Sequence, residues 1–295
     1  MKHYIQVGLL SVLLLSVNLL SSCMAGKAHG GLNPTTVIVA GSTSVQPYVE
    51  ILVEEYRLLY PDNAVGVQGG GSSAGIRAVL NEIAEIGMSS RALNQEEKEL
   101  GLWSVEIALD GLAIVVHPDN KVENLTMEQV RDIYSRKITN WSEVNGEDRK
   151  IHIISREEGS GTRSAFQDLV MGDEMIAPRA IVQNSNGAVR QLVSSDRNAI
   201  GFISLGLAEP QPGLQPVKAL NLDGFSPTQE NVLSGEYELY RAFLFISEDE
   251  PTGAARHFVS FVLSEEGQRI LSGEGLIPAR EMALTGGEGV SDEEV

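Results

Sequence analysis

The sequence holds a single cysteine, Cys23, in 295 residues, so no intrachain disulfide staples this fold. A packed core has to do that work instead. Basic side chains are also scarce. Lys and Arg number 22 against 40 Asp and Glu, a formal net charge of −18, which repels polyanions and excludes nucleic acid as an expected partner. A small anion is not excluded on that ground. Exposed charges are screened over about 8 Å at physiological salt, so a recessed site answers to its own donors. The 5 histidines are scattered and neither H-x-x-E-H nor C-x-x-C occurs, so no metal site and no cofactor is expected. A G-x-x-x-x-G-K-[ST] loop is missing too, so nucleotide hydrolysis would belong to a partner.

What is present begins with one apolar run. Lys2 precedes a stretch from Val7 to Leu20 that is short for a membrane span, which needs about 20 residues. Leu20-Ser21-Ser22-Cys23 follows, the small-residue pattern before a lipidated cysteine. Residues 1–22 read as a lipoprotein signal peptide, Cys23 as the lipidation site, and 23–34 as a tether. An incidental thiol beside a simple secretory cleavage site is the alternative. The expected location is exported and lipid-anchored to the membrane, periplasmic or on the outer cell surface.

Beyond the tether, short β-branched runs alternate with helical stretches. Residues 36–40, 64–67, 86–88, 151–154, 199–203 and 240–246 read as strands, and 105–116 as a long strand or a strand pair. A helix is expected over 45–60, where Val45, Tyr48, Leu52, Tyr56 and Leu59 share a face and Pro61 ends the run. Further helices fall at 73–83, 162–171, 257–263 and 265–271. Thr126-Met-Glu-Gln129 has the spacing of a capping box for a helix through Tyr134, and Asn186-Gly187 opens another. Strand–helix alternation of this kind makes α/β layers. The 285–295 tail is glycine-rich and acidic and is expected to be disordered.

One local grammar occurs three times: strand, Gly/Ser/Thr turn, helix start. It appears at Gly41-Ser-Thr-Ser44, at Gly71-Ser-Ser73 and at Gly159-Ser-Gly-Thr162. Such turns present unpaired backbone N–H groups and rotatable hydroxyls at the positive end of a helix dipole. Taken singly, each is also an ordinary helix cap. Arg156, just before the third turn, adds a guanidinium that can fork onto two oxygens, with Glu158 as the expected carboxylate to hold it. A plain surface salt bridge is the competing reading. Together the turns point to a convergent oxyanion pocket.

These segments carry a resemblance. Gly41-Ser-Thr-Ser-Val-Gln-Pro47, Gln68-Gly-Gly-Gly-Ser-Ser-Ala-Gly75, Ile86-Gly-Met-Ser-Ser-Arg91 and Ser155-Arg-Glu-Glu-Gly-Ser-Gly-Thr162 resemble, in order and spacing, the PstS-type phosphate-binding proteins of phosphate ABC transporters. Lys137-Ile-Thr-Asn-Trp141, Ala199-Ile-Gly-Phe202 and Ser264-Glu-Glu-Gly-Gln268 extend the likeness over residues 36–278. The resemblance implies a type II periplasmic-binding-protein fold, two α/β lobes joined by crossover strands with a ligand cleft between them. Residues 35–117 and 238–284 would form lobe I and 118–237 lobe II. Inorganic phosphate and the permease subunits of an ABC transporter are the implied partners. The implied anion donors are Thr43, Ser44, Ser72, Arg156, Ser160, Gly161 and Thr162. Ser90 stands where many family members place an aspartate that accepts the proton of hydrogen phosphate. An uncharged serine there repels sulfate or molybdate less, so another tetrahedral oxyanion is the alternative ligand. Arg91 is a further candidate beside it.

One enzymatic reading competes. Gly71-Ser-Ser-Ala-Gly75 fits the G-x-S-x-G pattern of a serine hydrolase with Ser73 as nucleophile. His257 alone suits the order of such a triad, and it falls inside an expected helix. No catalysis is expected.

Overall fold

The computed structural model describes residues 36–210 and 212–279. The expected signal peptide, Cys23, the tether, residues 280–284 of lobe I and the acidic tail lie outside the described residues.

Val37 and Val39 are buried in β1 (Val37–Gly41), which runs parallel to β2 (Val65–Gly69) on one side and β3 (Ile86–Ser89) on the other. Helix α1 (Gln46–Leu59) carries a proline in its first turn, where its missing N–H is harmless, and buries Tyr48, Val49, Leu52, Val53 and Tyr56. Helix α2 (Ser72–Leu80) lies close on β1 because position 75 is glycine. A Cβ there would sit 2.5 Å from the Ala40 carbonyl oxygen. A short helix, α3 (Gln95–Glu99), leads into β4 (Trp103–Val116), whose 14 residues form one unbroken strand.

The chain then builds a second half. It contains β5 (Asn124–Leu125), α4 (Met127–Tyr134), β6 (His152–Arg156), α5 (Gly161–Phe166), β7 (Ile181–Gln183), α6 (Asn186–Ser195) and β8 (Ala199–Ser204). Next come β9 (Lys218–Ala219), β10 (Asn221–Leu222) and α7 (Gln229–Leu233). β11 (Tyr240–Ser247) returns to the first half, followed by α8 (Gly253–Val262), α9 (Glu265–Gly273) and β12 (Ile277–Pro278). The capping box at Thr126 forms as its spacing predicts, with Thr126 and Gln129 each bonding the other's amide. The helix expected over 162–171 is α-helical only to Phe166 and continues as a wider π turn through Met171.

Pairing runs β2-β1-β3-β11-β4-β8-β6-β7. β4 serves both halves. Its residues 103–111 pair antiparallel with β11, and 112–116 pair antiparallel with β8. Each half has its own apolar core. One gathers Val39, Tyr56, Phe243, Phe245 and Phe258, and the other gathers Ile114, Tyr134, Trp141, Phe166 and Phe202. Phe166 and Phe202 stack with centroids 4.1 Å apart. Full burial of each such ring contributes about 1.5–3 kcal/mol, which is how a fold lacking disulfides holds. Among the described residues no helix is long and apolar enough to cross a membrane.

Candidate functional site

The three Ser/Thr turns meet where the halves face each other. Two of them do not use their hydroxyls as helix caps, since Val45 and Gly71 occupy the cap positions of α1 and α2 without a side-chain bond. Ser160 alone caps, its Oγ accepting from the Arg163 amide at 3.3 Å. Of the remaining hydroxyls, Thr43 and Ser44 bond across the gap, and Ser42, Ser72 and Ser90 bond to one another within the first half. Ser44 Oγ lies 2.7 Å from Thr162 Oγ1, and Thr43 Oγ1 accepts from Arg156 Nη2 at 3.1 Å. On the other flank Ser42 Oγ donates to Ser90 Oγ at 2.9 Å, and the Ser90 amide donates to Ser72 Oγ at 3.1 Å. The Ser73 amide reaches the Gly159 carbonyl at 3.1 Å. Gly161 closes the ring by having no side chain: a Cβ would lie 2.5 Å from Ser90 Oγ and closer still to Ser72 Oγ. Thr43, Ser44, Ser72, Ser90, Arg156, Ser160, Gly161 and Thr162 are thus brought together. Of these, Ser44, Ser72, Ser90, Arg156, Ser160 and Thr162 are buried polar residues.

Arg156 is 1% exposed at the end of β6. Glu157, not the expected Glu158, holds it: Nε donates to Oε2 and Nη2 to Oε1, both at 2.9 Å. Glu158 sits exposed and makes no hydrogen bond or ion pair with the guanidinium. Nη1 of Arg156 is buried and has no hydrogen-bond partner among the described residues. A guanidinium fixed along one edge with a bare N–H on another is pre-oriented for an oxyanion.

A second buried charge pair lies behind the ring. Arg241 on β11 and Asp110 on β4 stand opposite each other in register, and Arg241 Nη2 donates to Asp110 Oδ2 at 2.9 Å and to Ser44 Oγ at 3.3 Å. Ser204 Oγ donates to Asp110 Oδ1 at 2.7 Å, and Tyr48 OH lies 3.3 Å from Ser204 Oγ. Burial pushes the Asp110 carboxyl up to about 6, while Arg241 and Ser204 pull it down. Burial raises the Tyr48 hydroxyl as well, with the Asp110 charge adding to it. Asn186, the first residue of α6, donates from Nδ2 to Ser44 Oγ at 2.8 Å and accepts the Ser204 amide on Oδ1 at 3.2 Å.

Two further candidates resolve differently. Arg91 turns away from the ring, its Nη1 and Nη2 each donating to Glu97 at 2.7 Å and Nη2 also to Ser73 Oγ at 3.0 Å. Ser73 therefore receives a hydrogen bond from an arginine. His257 is engaged elsewhere, with Nδ1 2.7 Å from Tyr56 OH. No three His, Cys, Asp or Glu side chains among the described residues group to hold a metal ion.

Residues 27–266 match the family model described as a PBP superfamily domain. The chain is also 31% identical over 264 residues to the phosphate-binding protein PstS of Bacillus subtilis, covering 88% of this chain and 84% of that protein. The chain belongs to the PstS family of the PBP superfamily. Solved structures agree with the PstS family in fold. A Clostridium perfringens substrate-binding protein, described as part of a phosphate ABC transporter and solved with bound phosphate, superposes with a TM-score of 0.79 at 41% identity. The match covers 83% of this chain and 100% of that one. An ABC-type phosphate transport receptor from Vibrio cholerae gives 0.68 at 38% identity over 82% of this chain and 99% of that one. The two halves joined by β4 and β11 are the two α/β lobes of the PBP fold.

Sequence reasoning missed Ser42, Asp110, Glu157, Asn186 and Arg241. A signal existed for two of them: Asp110 and Arg241 are lone charges inside otherwise apolar strand segments, Ala108-Leu-Asp-Gly-Leu112 and Leu239-Tyr-Arg-Ala-Phe243. Opposite charges in two buried strands suggest a pair. Nothing in the sequence aligns the two strands in register.

Proposed function

We propose that this chain is the extracytoplasmic solute-binding component of a phosphate ABC transporter, capturing inorganic phosphate in the serine-lined cleft and presenting it to the permease subunits. The observation that carries this reading is the buried Arg156, clamped by Glu157 and reaching Thr43 of the other lobe through Nη2, with Nη1 left bare. Thr43, Ser44, Ser72, Ser90, Arg156, Ser160, Gly161 and Thr162 are assigned as the phosphate ligands. Residues 35–117 with 238–284 are assigned to lobe I and 118–237 to lobe II. Lobe closure then follows from contacts that exist only when both lobes grip the anion, because affinity equal in open and closed states would shift nothing.

The role is binding without chemistry. The Ser73 hydroxyl is held by Arg91 and His257 by Tyr56, so the two do not pair as nucleophile and base. Export with a lipid on Cys23 completes the proposal and matches the 1–22 apolar leader. Titration calorimetry of the full chain with phosphate tests the assignment. Arg156→Ala should weaken binding by about tenfold to a hundredfold, the worth of one charged hydrogen-bond set. A parent chain that gives no heat with phosphate sinks the reading.

A further inference from the structure

Behind the ring, reaching it through Ser44, lies a second guanidinium that is not fully used. The Arg241 side chain is 4% exposed, yet its Nε and Nη1 are buried without a partner, and only Nη2 is engaged. Arg156 and Arg241 approach neighbouring residues of one turn, the first donating to Thr43 and the second to Ser44. Burial lowers the Arg241 pKa most, the Asp110 charge opposes that, and the charge of Arg156 adds to the lowering. Two cations held this close, each with a bare buried N–H, are relieved by negative charge placed between them.

The hydroxyls point the same way. Ser44 Oγ accepts from Asn186 Nδ2 at 2.8 Å and from Arg241 Nη2 at 3.3 Å, which occupies both lone pairs. Its proton then faces Thr162 Oγ1, 2.7 Å away, and either hydroxyl of that pair can turn its proton to an anion. The nearby carboxylates are already taken. Asp110 is bound by Ser204 and Arg241, and Glu157 by Arg156. Ser90 adds no charge. A ligand with an O–H to give meets only carboxylates whose charge is already paired with an arginine, whereas a fully deprotonated one meets donors on several sides.

We propose that Arg241 is a second cationic ligand of the bound anion and makes the site select the dianionic form of a tetrahedral oxyanion. The proposal rests on the anion-binding reading of the cleft given above. It concerns a residue outside the three turns, on the crossover strand that links the lobes.

The groups facing Arg241 are Asp110 from β4, Tyr48 from α1 and Arg156 with its partner Glu157 from the β6 end. Phosphate passes from monoanion to dianion around neutral pH. Calorimetric phosphate affinity of the full parent chain should therefore strengthen from about pH 6 to about pH 8, following the dianion. The double variant Asp110→Asn/Arg241→Gln removes both members of the buried pair, so that no lone charge is stranded. With its fold checked by circular dichroism, it should bind phosphate about tenfold or more weakly at the upper pH and lose most of that rise. Should the double variant not fold, Arg241→Lys keeps the charge against Asp110 but loses the fork, and a several-fold loss is expected. A folded variant that matches the parent in affinity, or keeps its pH slope, overturns the proposal while leaving phosphate binding itself intact. A parent whose affinity is flat or falls with pH overturns it too. A parent that binds no phosphate at any pH refutes the underlying function instead.

Discussion

Arg91 and Arg156 are both arginines at the end of a strand, and only the carboxylates beside them separate their roles. Glu97 takes both terminal nitrogens of Arg91 and its own backbone partner at Asn94, which ties Arg91 to α3 rather than to the cleft. The Arg91 hydrogen bonds hold the Glu97 carboxyl below its ordinary 4.5, with burial opposing them. A depressed carboxyl stabilises the fold above its ordinary value and loses that contribution as pH falls through the lower folded value. Glu97→Gln should therefore cost stability at neutral pH, and its gap from the parent in urea midpoint should narrow as pH drops below 4.5. A gap of constant size across pH 3 to 7 would show that Glu97 acts through packing alone. Ser90 makes the opposite case. Its hydroxyl is satisfied within the ring by Ser42, so the position is structurally content without a charge.

At the scale of elements, short helices here start where side chains replace missing backbone partners. Reciprocal capping boxes begin α3 at Asn94, α4 at Thr126 and a 3₁₀ turn (Trp141–Val144) at Asn140. Helix α4 has 8 residues, too few to be stable on propensity alone, so its cap and its buried Val130, Ile133 and Tyr134 decide it. Thr126→Ala should lower unfolding free energy by about 1 kcal/mol, and Thr126→Ser should retain most of it. Chemical denaturation of both variants checks this, and equal losses would deny the cap its role. The capping box was readable because it is a contact over three residues. Helix α3 was not, since it buries no residue and shows no apolar face. The Gly75 contact with β1 illustrates a different limit. The G-x-S-x-G spelling drew attention to Ser73, while the function of its last glycine is to let helix and strand backbones touch.

At the scale of the molecule, the lobes are in contact through Gly161, Ser72 and Ser90. Each lobe has a separate core, and among the described residues β4 pairs with strands of both halves, with β11 on one side of the boundary and β8 on the other. Closing therefore asks for bending at the crossover and little repacking within either lobe. Gly161→Leu puts a side chain where the lobes meet and should hold them apart. Small-angle scattering of the parent should show a smaller radius of gyration on adding phosphate, and the variant should show no change. Thermal melts give a second readout, because a ligand at 100 times its Kd adds about 2.7 kcal/mol to the parent and should add little to the variant. Compaction of Gly161→Leu equal to that of the parent would place the contact elsewhere.

Local chemistry is what the sequence determined by itself. The order of the longer strands and helices, the Thr126 capping box and the three Ser/Thr turns follow from periodicity, hydroxyl content and glycine placement within a few residues, while the proposed anion ligands from Thr43 to Thr162 came from the family resemblance. The order and spacing of those turns also carried the family likeness. Only the tertiary structure decided the rest. That Glu157 rather than Glu158 holds Arg156, that Arg91 faces α3, and that Asp110 and Arg241 meet in register all depend on the direction of a side chain or the alignment of strands about 130 residues apart. The physical reason is the same for each. A turn or a cap is settled by neighbours in the chain, while a buried charge is settled by whichever partner the packed sheets bring within hydrogen-bond reach.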